Sequence, residues 1–151
     1  MKVIDLKLAR LIPGPVEEVF DVWFDPKCPG GPWHGAEKAL MNFAIDGMFY
    51  FGIDRAEARK KIPNLPEVAG LMGHFGRFTQ IRRPYAVEHT WMSENTQGIE
   101  TTVLVTFEPR AGGTELTILH RGIPDDEIGR QHERGWNFLL GRTADHFGSR
   151  G

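Results

Sequence analysis

Six histidines are the groups in this chain whose ordinary pKa lies nearest neutral pH, so acid–base chemistry would have to start from them. They are His34, His74, His89, His120, His132 and His146. No pair has the spacing of a metal motif, such as two histidines one helical turn apart around a glutamate, and no metal site is expected. His89 and His120 fall on inward faces of expected strands, and His132 on the inward stripe of an expected helix. Histidines so placed are most often hydrogen-bonded core or cavity-wall groups. The chemistry otherwise open to them is proton transfer, or a hydrogen bond to a polar group of a ligand. Cys28 stands between Lys27 and a Pro-Gly-Gly-Pro run, with no base paired to it in sequence, and is not read as a nucleophile. Asp125, Asp126 and Glu127 suit the first turn of a helix better than a carboxylate site. No catalytic residue and no cofactor follow from these groups.

The second chemical signal is aromatic. Trp23, Trp33, Trp91 and Trp136, with Phe43, Phe49, Phe51, Phe78 and Phe107, make an aromatic-rich interior. Most of these must pack the core. A concave apolar wall with a few polar tips is also what a small-molecule site needs. The candidate ligand-binding residues are Trp33, His34, Phe49, Phe51, Phe78, His89, Trp91, His120 and Trp136. Trp136 follows Gly135, whose missing side chain points to close packing or to vacant space beside the indole.

The elements that must hold these residues are legible from hydrophobic period. Residues 2–10 alternate, with Ile4, Leu6 and Leu8 on one face. Val16, Val19, Phe20 and Trp23 have helical spacing behind Pro15. Strands are expected over 40–45 and 48–53, joined by an Asp46-Gly47 hairpin turn, with Phe43, Ile45, Phe49, Phe51 and Ile53 inward. Asp54–Gly70 reads as an exposed connection with one or two helical turns near Arg55–Lys61, whose basic side chains are solvated. Four more alternating runs follow, carrying His74/Gly76/Phe78, Val87/His89/Trp91, Thr101/Val103/Val105/Phe107 and Thr114/Leu116/Ile118/His120. A long helix closes the chain, with Ile128, His132, Gly135/Trp136, Leu139, Thr143 and Phe147 on one face.

This pattern predicts an α+β fold: a curved seven-stranded antiparallel sheet wrapped around a long C-terminal helix, with two short helices after the first strand. Residues 1–151 are read as a single domain. A net charge of -2 without a basic run argues against nucleic acid as partner. No apolar run is long enough to span a bilayer and no signal-peptide pattern opens the chain, so no membrane partner is expected. A lone cysteine excludes an internal disulfide and fits a cytoplasmic location.

Three ordered segments resemble the START-like helix-grip superfamily, and within it proteins similar to the activator of the heat-shock protein 90 ATPase. They are Val16–Val22 followed by Trp33-His34-Gly35, then Gly76-Arg77-Phe78 through Arg83-Pro84 to His89-Thr90-Trp91, then Gly113–Thr117 through His120 to Gly135-Trp136. The family often has two aromatics where this chain has Trp33-His34, and its connection at Asp54–Gly70 is usually shorter. The resemblance implies a helix-grip fold. It leaves three functions open. The first is binding of a small, largely apolar molecule of lipid or polyketide type. The second is a cyclase- or hydrolase-like reaction using His34, His89 or His120. The third is a chaperone-associated interaction module, with a protein partner or a homodimer.

Overall fold

The computed structural model describes residues 1–54, 56, 60 and 70–149. The elements in chain order are β1 (Val3–Ile12), α1 (Val16–Trp23), β2 (Lys38–Met41), β3 (Met48–Asp54), β4 (Leu71–Arg82), β5 (Ala86–Trp91), β6 (Thr101–Arg110), β7 (Gly113–Pro124) and α2 (Glu127–Gly148). The strands form one antiparallel seven-stranded sheet in the order β1-β7-β6-β5-β4-β3-β2. The expected α+β helix-grip architecture is therefore the observed one.

Alternation puts one face of each strand inward. Phe78, Val87, His89, Trp91, Val103, Val105, Phe107, Leu116, Ile118 and His120 are all buried, as their period-two positions predict. α1 begins at the Pro15 cap and buries Val19, Phe20 and Trp23, with the Phe20 ring edge-on to Phe107 at 5.1 Å. Of the two short helices expected, α1 is the one described. Residues 24–35 make successive turns, and the helical turns expected near Arg55–Lys61 lie outside the described residues except for Ala56 and Lys60. The turn after α1 is fastened to the far end of α2, where Thr143 Oγ1 donates to the Gly30 carbonyl at 2.6 Å.

The β2–β3 hairpin departs from expectation. Met41 pairs with Phe49, so β2 ends four residues short of Ile45 and residues 42–47 form the connection. A two-residue Asp46-Gly47 turn loses because the loop backbone bonds to β4 instead. The Asp46 N–H donates to the Phe78 carbonyl and the Phe78 N–H to the Gly47 carbonyl. Ile45 is consequently exposed rather than inward, and Phe43 is only half-covered, stacked on Phe24 at 4.9 Å.

α2 starts where the acids predict. Asp126 Oδ1 caps the Gly129 N–H at 2.6 Å, and Asp125 pairs with Arg130. Its buried stripe is Gly129, His132, Trp136, Leu140, Thr143 and Phe147. Gly129 and Leu140 replace the expected Ile128 and Leu139, because a 3.6-residue turn carried through His132 and Trp136 reaches Leu140 next. Each fully buried large apolar side chain stabilises by about 1.5–3 kcal/mol. Trp136, Leu140 and Phe147 together outweigh interior glycines at 135 and 141, which cost about 1 kcal/mol each. Among the described residues no helix is long and apolar enough to cross a membrane.

Candidate functional site

Between the concave sheet and α2 lies a cavity of about 180 Å³. β3 supplies Phe51, β4 Met72 and His74, and β5 Trp91. α2 lines the opposite side with the flank Gln131, Gly135, Leu139 and Arg142, beside His132 and Trp136. His34, Gly35 and Ala36, from the turn after α1, close one end.

Hydrogen bonds on and behind this wall fix the tautomers of His132, His120 and His89. His132 Nδ1 donates to the Gly129 carbonyl at 2.7 Å, which leaves Nε2 to accept the Trp91 indole N–H at 3.3 Å. The Trp136 indole N–H donates to His120 Nδ1 at 3.1 Å. His120 Nε2 therefore carries its proton and donates to Thr101 Oγ1 at 2.7 Å, whose hydroxyl donates on to the Trp91 carbonyl at 2.6 Å. His89 Nδ1 donates to the Thr90 carbonyl at 2.8 Å. His74 stacks on Trp91 with ring centres 4.6 Å apart, and its buried Nδ1 has no hydrogen-bond partner among the described residues.

Burial keeps all four of these imidazoles neutral. Desolvation first, and repulsion from His132 second, lower His74 to about 3. Desolvation lowers His89 to about 4 against the opposing Thr90 hydrogen bond. It also pushes His120 well below the usual histidine range and lowers His132. The wall is thus largely apolar and aromatic, with His132 held by two hydrogen bonds and His74 neutral beside Trp91. Among the described residues no three metal-ligating side chains converge.

Of the nine residues singled out from sequence, His34, Phe51, Trp91 and Trp136 line the cavity. Trp33 packs edge-on to Phe49 and Phe51, at 5.0 and 5.3 Å, and its buried indole nitrogen is without a partner among the described residues. Phe49, Phe78, His89 and His120 stand behind the wall in the core. Sequence reasoning passed over Met72, His74, His132 and Arg142 as site residues. The signal for His74 was its place on the same strand face as Phe78. For Arg142 it was the spacing of three and four from Gln131 through Gly135 and Leu139.

A curved antiparallel sheet closed by one long helix, with a cavity between them, defines the helix-grip class. The chain belongs to the family described as activator of Hsp90 ATPase homolog 1-like protein, whose family model matches residues 13–147. Similar solved structures include a protein from Chromobacterium violaceum, with a TM-score of 0.75 at 19% identity over 95% of this chain and 96% of that one. Another is a family member from Silicibacter pomeroyi, with a TM-score of 0.73 at 23% identity over 98% and 100%. A third is described as an HSP90 activator from Plasmodium falciparum, with a TM-score of 0.71 at 18% identity over 96% of each chain. At these identities the likeness is one of fold. Among curated proteins none matches the sequence.

Proposed function

We propose that the protein binds one small, largely apolar molecule, of lipid or polyketide type, between the sheet and α2. The observation that carries this reading is the cavity of about 180 Å³ lined by Phe51, Met72, Trp91 and Trp136. An apolar cavity of about 150 Å³ already admits benzene, and sparse polar groups among aromatics orient a ligand without a large desolvation cost. The neutral imidazoles of His74 and His132 on the wall fit binding better than proton transfer, which works best with a pKa near the operating pH.

A hydrophobic fluorescent probe is expected to bind at about one site, with affinity in roughly the micromolar range, and to raise the melting temperature. Ala36 lines the cavity and is half-buried just after the turn that ends at Gly35, so Ala36→Trp fills the space without removing a core contact. That variant is expected to fold and to lose the probe-induced shift. A wild-type protein that takes up no apolar probe, or an Ala36→Trp variant that binds as well as wild type, would count against the cavity as the site.

A further inference from the structure

Arg142 differs from the other arginines whose ion pairs the structure displays. Arg77, Arg83, Arg110 and Arg130 lie on the surface, each against a carboxylate at 2.6–2.8 Å. Arg142 projects from the cavity flank of α2 and, among the described residues, meets only neutral acceptors. Its Nη2 donates to the His34 carbonyl at 2.7 Å and to His34 Nδ1 at 3.2 Å, and its Nε to the Pro29 carbonyl at 3.3 Å. Among the described residues no carboxylate pairs with it, and Nη1 makes no hydrogen bond. Burial lowers its pKa from the usual arginine range, so the charge is held against a desolvation cost that no anion among the described residues offsets.

The guanidinium is also positioned. Three hydrogen bonds anchor it to the Pro29–His34 turn, and Gly35 passes beside it in the left-handed region at φ 86°. An ideal Cβ on Gly35 would stand 3.5 Å from Nη2 and 3.8 Å from Nη1, so a longer side chain there would cover the charged face. Two acids share the rim. Glu37 is exposed to solvent, and the Asp54 carboxylate accepts the Ala56 N–H at 2.8 Å. Neither engages Arg142, and the four histidines contribute no charge. One wall of the cavity is thus aromatic, and at its edge a held cation has a free donor group.

We infer that the ligand of this cavity is a small aromatic acid, its ring against Phe51, Met72, Trp91 and Trp136 and its carboxylate on Arg142. The inference rests on the binding reading above and adds the anionic head. Hydrogen bonds between a guanidinium and a carboxylate are roughly twice as strong as neutral ones and favour a planar, forked partner. A cavity slightly larger than one that holds benzene suits one or two fused rings with the head directed outward.

The test compares 2-naphthoate with its neutral isostere 2-naphthamide by titration calorimetry, on wild type, Arg142→Gln and Arg142→Lys, at about pH 7.5 and low salt. In wild type the acid is expected to bind at least about tenfold tighter than the amide, with the preference shrinking as salt is added. Arg142→Gln is expected to lose the preference, and Arg142→Lys to retain part of it. The acid-to-amide ratio within one protein is independent of the folded fraction, and the wild-type ratio needs no variant. Equal affinities in wild type overturn the anionic head and leave the apolar cavity standing. A preference that survives Arg142→Gln overturns the assignment to Arg142. Failure of both probes to bind removes the cavity reading and this inference with it.

Discussion

Lowering the pH from about 7.5 to about 5 is expected to weaken the fold through its buried histidines, and His74→Phe isolates one of them. His74 is 5% exposed and neutral in the folded chain, with its pKa lowered from 6.5 to about 3. In the unfolded chain it takes up a proton as pH falls through 6.5. The unfolded state then binds more protons, and stability is lost on acidification from about that pH down to about 3. At pH 5 the unfolded imidazole is almost fully charged and the folded one is not, which amounts to roughly 1.5 pH units at 1.36 kcal/mol each, or about 2 kcal/mol. His89, lowered to about 4, adds a similar amount, and His120 and His132 act in the same direction. Against a total stability of about 5–15 kcal/mol these losses are large. Phenylalanine at position 74 keeps the stack on Trp91 and removes a buried nitrogen that has no partner among the described residues, a defect worth about 1–3 kcal/mol. His74→Phe is therefore expected to equal or exceed wild type at neutral pH and to lose about 2 kcal/mol less on going to pH 5. Urea unfolding followed by circular dichroism at three or so pH values measures both quantities. Parallel stability curves for the two proteins would refute the placement of a neutral, desolvated imidazole at this position.

Two further substitutions probe the frame of the site. Trp136→Phe keeps a ring against Trp91 but leaves His120 Nδ1 without its donor, so a loss of about 1–3 kcal/mol is expected in thermal or urea unfolding. Trp136→Ala should cost more, about 3 kcal/mol or above, with cavity formation added; a Trp136→Phe loss near zero would mean that the hydrogen bond contributes nothing. Gly76→Ala would place a Cβ 2.0 Å from the Thr90 carbonyl oxygen and 2.8 Å from the Phe49 ring. Backbone has to move to admit it, so a destabilisation of about 1–3 kcal/mol or failure to fold is expected, and a stability within about 0.5 kcal/mol of wild type would contradict the β4–β5 approach.

Much of this architecture was legible in the chain because its signals are local. Period-two runs such as Thr101/Val103/Val105/Phe107 assign a strand and its inward face together, since a strand can bury only alternate residues. Asp126 three residues before Gly129 marks the start of α2 for an equally local reason, because a first-turn N–H needs a nearby acceptor. The end of β2 was not legible. Asp46-Gly47 is a fair turn signal, but the partner that captured its backbone, Phe78, lies more than thirty residues away. The site divides along the same line. Sequence by itself determined that aromatic and histidine side chains face inward, because that depends only on strand and helix phase. Tertiary structure alone decided which of them meet. β4 and β5 had to pair before His74 could stack on Trp91, and α2 had to dock in one rotation before His132 could accept from the Trp91 indole. Arg142 is separated by more than a hundred residues from the His34 and Pro29 carbonyls that hold it, and no local period records such an encounter.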